Sequence, residues 1–288
     1  MKRIVFFFLC FSFVAFSQQV NFKNAKFTRE RTMDILNYLF NISINENEKS
    51  VSGRVTVTFL PLRTEYKVLE LDASELNITN VTIGDKQLRY YTKGSTLSIP
   101  LDKTYGLNDT ISVAIEYDAK PKKGLYFIPP DPAQPEKTWQ IWSQGESEEN
   151  HWWFPCYDYP NDKATTEMVV TVSDNLTAIS NGGFIDSKNN NNGTTTFHYK
   201  ESKPFSSYLI SLIVGEFTKL SDNVDGIPLE YFVRPSQKDR ALNSFSKTAL
   251  MLKYFSDKIH FTYPWEKYTQ VAVSDYMFGG MENTTVAT

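Results

Sequence analysis

The sequence predicts a mainly β protein that runs on into the start of a mixed α/β domain. Three observations predict it. Apolar residues recur with period two from about residue 34 to residue 217. Turn signals at Asn108-Asp109, Asn181-Gly182-Gly183, Asn192-Gly193 and Asp225-Gly226 punctuate these runs. A helical period appears only after residue 240, where Leu242, Phe245, Ala249, Leu252, Phe255 and Ile259 fall three and four apart.

The first segment has the pattern of a signal peptide, residues 1–17. Met1-Lys2-Arg3 is basic, Ile4 to Phe16 is apolar but too short to span a bilayer, and Ala15-Phe16-Ser17 is a small-x-small cleavage site. The expected location is therefore outside the cytoplasm: periplasmic, cell-surface or extracellular. With Cys10 removed, Cys156 is the remaining cysteine, so no internal disulfide is expected and a small buried thiol is. Seven Asn-x-Ser/Thr sequons, at Asn41, Asn77, Asn80, Asn108, Asn175, Asn192 and Asn283, occur in an Asn-rich chain and do not decide the organism.

Residues 18–220 are read as one β domain of antiparallel sheets. Val51, Val55, Val57 and Phe59 line one side of a strand, with Arg54, Thr56 and Thr58 on the other. Ile111, Val113, Ile115 and Tyr117 repeat the pattern. Met168 to Val172 and Tyr208 to Val214 are more continuously apolar, as better buried strands are. Pro121, Pro129, Pro130, Pro132 and Pro135 exclude a central strand between Lys120 and Lys137, leaving a long irregular segment that leads to Trp139 through Glu146. Residues 221–288 are read as the incomplete start of a second domain. They hold a strand at Leu229 to Val233, one amphipathic helix capped by Ser236, and a strand at Thr269 to Val273. That helix has little to pack against.

The net charge is −3, from 30 basic and 33 acidic residues. This balance offers no field for nucleic acid and no polybasic membrane patch. The three histidines, His151, His198 and His260, form no His-Glu-x-x-His, and there is no Cys-x-x-Cys, nucleophile elbow or phosphate loop. Two carboxylates stand out. Glu282 follows Gly279-Gly280-Met281, where glycine backbone can pair with an extended peptide as an added strand. A carboxylate at the end of such an edge can hold an α-ammonium by charge-assisted hydrogen bonds. Glu146 lies in the other irregular segment, after Gln144.

Four segments, in order, resemble the N-terminal part of the aminopeptidase N family of gluzincin-type zinc metallopeptidases. They are Met33 through Phe59; Gln144-Gly145-Glu146 with Trp153-Phe154-Pro155-Cys156-Tyr157-Asp158-Tyr159-Pro160 and Lys163 to Thr166; Ser206 to Leu209 with Val214 to Phe217; and Gly279 to Asn283. The last resembles the family's Gly-Ala-Met-Glu-Asn, with Gly280 in place of Ala. The resemblance implies a saddle-like β domain followed by the truncated start of a thermolysin-like domain. It implies peptide substrates with a free N-terminus, Glu282 and Glu146 as amine anchors, Gln144 beside the first side-chain pocket, and Gly279, Gly280, Met281 and Asn283 along the substrate. It also implies one zinc ion, with catalytic residues and metal ligands beyond Thr288, so that the chain itself is expected to hydrolyse nothing. The alternatives are a non-catalytic family member acting as a peptide-binding or scaffolding module, and an unrelated secreted β-rich adhesion domain.

Overall fold

In the computed structural model, residues 29–288 are described; the expected signal peptide lies outside them. Strands dominate. In chain order they are β1 (Met33–Asn45), β2 (Ser50–Pro61), β3 (Tyr66–Asp72), β4 (Asn77–Ile83), β5 (Lys86–Gln87), β6 (Tyr91–Lys93), β7 (Thr96–Tyr105), β8 (Ile111–Ala119), β9 (Leu125–Ile128) and β10 (Gln140–Ser143). There follow β11 (Lys163–Ser173), β12 (Thr177–Ser180), β13 (Gly183–Asn189), β14 (Thr194–Ser206), β15 (Leu212–Gly215), β16 (Thr218–Val224) and β17 (Ile227–Val233). Helices α1 (Lys238–Phe245) and α2 (Thr248–Ile259) precede β18 (Tyr268–Val271) and β19 (Val286–Ala287).

An eight-stranded sheet runs in the order β13-β14-β11-β1-β2-β8-β4-β5. The period-two residues bury one face of it: Val51, Val55, Val57 and Phe59 on β2, and Ile111, Val113, Ile115 and Tyr117 on β8. On β1 the buried set changes parity, from Met33 and Ile35 to Tyr38, Phe40, Ile42 and Ile44. A register shift between Ile35 and Asn37 causes the change, as one extra residue swaps the faces. β3-β7-β6 form a smaller sheet over the same core.

A four-stranded sheet, β12-β15-β10-β9, separates two cores. Ile141, Ala178, Leu212 and Val214 face the main core. Trp142, Ile179 and Ile213 face a second core with Phe232, Val271 and Val286. Both faces are covered, which is why β10 and β15 are buried at every position. The second core joins this sheet to the sheet β16-β17-β18-β19.

The mainly β, chiefly antiparallel architecture accords with the sequence reading, and several details correct it. β1 pairs with β11 in parallel, and β17, β18 and β19 also run parallel. The proline-rich segment is not wholly irregular: Leu125 to Ile128 form β9, at the sheet edge where flanking prolines are tolerated. β10, expected within an irregular stretch, is a central strand. Met168 to Val172 alternate between buried and half-buried. Ser207–Leu209 form a 3-10 turn, and the strand starts only at Leu212. The single helix is two, broken after Phe245, where the Ser246 hydroxyl donates to the Asn243 carbonyl and competes with the helical ladder. Ser236 lies in a 3-10 turn, and Gln237 occupies the cap position without a side-chain bond.

The Trp-Phe-Pro-Cys block is the plug of the main core. Trp153 and Phe154 are fully buried, with ring centroids 4.5 Å apart, and Phe40 lies 4.9 Å from Phe154 and 5.9 Å from Trp153. Cys156 is buried, as expected, and bridges to Asp72 by backbone bonds of 2.7 and 3.0 Å. Among the described residues no helix is long and apolar enough to cross a membrane.

Candidate substrate-binding site

One face of one strand builds the site. Gln140, Trp142 and Gln144 alternate along β10 and its continuation, and all three grip residues 274–281. Gln140 Oε1 accepts from the Ser274 amide at 2.7 Å, and the Trp142 indole donates to the Ser274 carbonyl at 3.1 Å. The Trp142 ring also packs 4.7 Å from Tyr126, 5.0 Å from Tyr276 and 6.4 Å from Phe278. Gln144, itself buried, accepts from the Tyr276 hydroxyl at 2.7 Å and places its amide nitrogen 3.5 Å from the Met281 sulfur. Glu146, two residues beyond Gln144, and Glu282, one beyond Met281, are both exposed.

Backbone geometry fixes the turn that carries Glu146. Gly145 approaches so closely that an added Cβ would lie 2.6 Å from the Tyr208 carbonyl and 2.7 Å from Asn150 Nδ2. Buried Asn150 in turn donates to the Ser207 carbonyl at 2.6 Å and accepts from the Trp153 indole at 3.0 Å. The aromatic plug therefore anchors the Gln144–Glu146 turn as well as the core.

Two tyrosines register both carboxylates. Burial, then the charges of Glu282 and Glu146, push the Tyr276 hydroxyl up to about 12. The same three causes, in the same order, raise Tyr208. Gln144 thus bonds to Tyr276, and the charges of Glu146 and Glu282 act on Tyr276 and Tyr208, two residues not singled out in the sequence as site residues.

The glycine edge is shorter than expected. Gly279, with φ of +83°, takes the left-handed backbone that suits glycine, and both Gly279 and Gly280 are exposed. Met281 is buried, however, and its backbone exchanges bonds of 2.9 and 3.0 Å with Thr288. Asn283 is buried too, because the chain turns at that point and Val286 donates to its carbonyl at 3.0 Å. The backbone open to a ligand centres on Gly279 and Gly280. An open cleft of about 470 Å³ lies beside this segment, lined by Tyr263, Trp265, Tyr268, Glu282 and Thr285 among others.

Asn181 is a further residue the sequence reading passed over. Its amide donates to the carbonyls of Thr284 at 2.6 Å and Leu209 at 3.0 Å, and its oxygen accepts from the Ser211 amide at 2.6 Å. The Gly182 amide adds a bond of 2.7 Å to Thr285 Oγ1. Asn-Gly-Gly reads as a turn; it is also the clamp that fastens residues 284–285 to β12 and β15.

Two of the three histidines have structural partners. His151 Nδ1 lies 2.7 Å from Asp158 Oδ2, and His198 Nε2 lies 2.8 Å from Glu167 Oε1; His260 is exposed just past α2. Among the described residues no three His, Cys, Asp or Glu side chains converge to hold a metal ion. The described residues therefore do not supply a ligand set for the zinc that the resemblance implies.

Residues 35–209 match the Peptidase M1 N-terminal domain, and residues 243–288 match the Peptidase family M1 domain. The chain belongs to the M1 peptidase family. It is 27% identical over 258 residues to leucine aminopeptidase 2 of Vanderwaltozyma polyspora, covering 86% of this chain and 38% of that protein. It is 33% identical over 132 residues to glutamyl aminopeptidase of Bitis rhinoceros, covering 45% of this chain and 14% of that protein. Among solved structures it is similar in fold to yeast LTA4 hydrolase, with a TM-score of 0.75 at 22% identity over 89% of this chain and 40% of that one. An M1 zinc metallopeptidase from Deinococcus radiodurans gives 0.76 at 20% identity, covering 90% of this chain and 60% of that one. The chain spans less than half the length of the curated relatives it matches.

Proposed function

We propose that this chain supplies the amine clamp of an exported zinc aminopeptidase, and that the zinc is held by further residues of a longer protein. In this reading Glu146 and Glu282 hold the α-ammonium of a peptide, Gly279 and Gly280 pair with its backbone, and Gln144 shapes the wall beside its first side chain. The same reading puts the boundary between the β domain and the beginning of the peptidase domain at residue 220. The carrying observation is that Gln144, two residues before Glu146, accepts from the Tyr276 hydroxyl and lies against Met281, the residue before Glu282, so that the segments bearing the two carboxylates meet. Two carboxylates at one place favour one cation between them. The kinship with proteins named aminopeptidases supports the same reading. The signal-peptide pattern supports export.

The test is calorimetric titration of the chain with a short peptide and with its N-acetylated form. Saturable binding of the free amine alone, lost in Glu282→Gln, is expected. Equal binding of the two forms would overturn the clamp. A non-catalytic, peptide-binding member of the family would pass this test. The two readings separate in the longer protein, where aminoacyl substrates are cleaved only on the first.

A further inference from the structure

Away from the clamp, two carboxylates meet in a way their partners leave unexplained. Glu201, near the end of β14, is completely buried. Its Oε1 accepts from the Lys203 amide at 3.1 Å, but Oε2 is buried with no donor. Glu266, just before β18, has the same pattern: Oε1 accepts from the Ser202 hydroxyl at 2.7 Å, and Oε2 is buried with no donor. The donors Ser202 and Lys203 are adjacent in the chain and follow Glu201 directly, so they hold the two carboxylates side by side, and each acts on the titration of the other.

The surrounding charges do not supply the missing hydrogen. On the β14 side, Lys203 donates to the Pro264 carbonyl and lies 6.0 Å from the Trp265 ring centroid, while Lys200 pairs with Glu167 at 3.0 Å. Lys267 donates to the Ser180 carbonyl at 3.0 Å, sits 4.7 Å from the Tyr199 ring centroid and lies 3.8 Å from Glu230 on β17. Glu230 in turn pairs with Lys219 of β16 at 2.5 Å. The Tyr263 hydroxyl donates to the Lys267 carbonyl at 3.0 Å, and Tyr268 packs edge-on against its ring. None of these groups donates to either Oε2. Two ionised carboxylates facing each other beside a fully buried Glu201 would repel, with solvent screening reduced.

We propose that Glu201 and Glu266 share one proton and form a pH-sensitive latch tying β14 to residues 263–267. With the proton present, one carboxyl donates its O–H to the facing carboxylate, and both buried oxygens are satisfied. Loss of the proton to solvent leaves two like charges side by side and loosens residues 263–267, of which Tyr263 and Trp265 line the cleft beside Glu282. Burial, reinforced by the charge and hydrogen bond of Glu266 and opposed by the Lys203 amide, pushes Glu201 up to about 7. Glu266 moves down, because hydrogen bonds from Ser202 and Glu201 outweigh its burial. The pair is one coupled titration, with its upper step near neutrality.

The sign follows from proton uptake. The folded Glu201 holds a proton that the unfolded side chain releases above its ordinary value of 4.5. Its contribution to stability is complete below that value and is lost as pH rises to about 7. Glu266 acts in the opposite sense, but only as pH falls below 4.5.

Carboxyl carbon-13 NMR of the whole chain is the direct test. One glutamate carboxyl should titrate with a midpoint near 7 and should vanish in Glu201→Gln. The wild-type folding equilibrium should weaken by up to roughly tenfold per pH unit between about pH 5 and about pH 7. Glu201→Gln, whose amide supplies a permanent hydrogen to Glu266, should lose that slope. Absence of any glutamate titrating above about pH 6 in the wild type would overturn the latch, whether or not the variant folds. Identical slopes in wild type and variant would overturn it too. So would a calcium titration at about pH 6 that shifts both carboxyls together, since a bound cation would then replace the proton.

Discussion

Glu282 and Glu146 carry the proposed recognition because they are exposed and charged and lie on segments that Gln144 joins, whereas Gln144 is itself buried and already bonded. Glu282→Gln keeps the size and removes the charge. Hydrogen bonds to charged groups contribute about 1.5–3 kcal/mol, so free-amine peptides should bind roughly 10- to 100-fold more weakly, while the acetylated form is unaffected. Asn181 carries a different burden. Asn181→Ala leaves the amide of Ser211 and the carbonyl of Leu209 without their partners and removes one of the two donors to the Thr284 carbonyl, and should lower stability by about 1–3 kcal/mol in chemical unfolding. The two carboxylates were legible in the sequence because each sits in a compact local motif. Asn181 was not, because its partners lie 28 to 103 residues away and only folding brings them together. Tyr276 was missed for the same reason, although it stands three residues before Gly279: its bond to Gln144 spans 132 residues.

Among the elements, β10 links fold to site. Its inner side fills the main core through Ile141, and its other side holds the substrate segment through Gln140, Trp142 and Gln144. Trp142→Ala removes the ring that Tyr126, Tyr276 and Phe278 pack on, and should cost about 3–5 kcal/mol. Free-amine binding should fall with it, even at temperatures where the variant remains folded. Half-buried strands such as β2 and β8 could be read directly, since a face in water imposes strict alternation. β10 could not: it is covered on both sides and follows a proline-rich stretch, so period two is absent. The helical pattern was also legible, but its break at Ser246 depends on a local side-chain bond that periodicity does not encode. α2 keeps Leu250, Met251, Tyr254, Phe255 and Ile259 exposed, so the sequence expectation of a poorly covered helix holds. The chain should bind an environment-sensitive apolar dye, and Met251→Lys with Phe255→Lys should reduce that signal with little change in thermal stability.

At the scale of the molecule, the proposed reading separates holding a peptide from cutting it. The clamp draws on β10, the Gln144–Glu146 turn and the Gly279–Glu282 segment, all set by the two cores. No cluster of metal-ligating side chains accompanies it among the described residues. Binding without hydrolysis is therefore expected of this chain, with or without added zinc, and mass spectrometry of a peptide after prolonged incubation would show it intact. The pH dependence of that binding gives the sharper test, because the ligand titrates as well as the protein. A peptide amine loses its charge around pH 8, and the attraction of two carboxylates for it goes with the charge. Affinity should thus fall above about pH 8 in the wild type and in Glu201→Gln alike, whereas any decline between about pH 6 and about pH 7.5 should disappear in Glu201→Gln alone. Raised salt should weaken the first effect, as the clamp is solvent-facing, and leave the buried Glu201–Glu266 effect nearly unchanged. An affinity that stayed flat through the amine's own titration would mean that the two glutamates do not hold an ammonium, whatever else they bind.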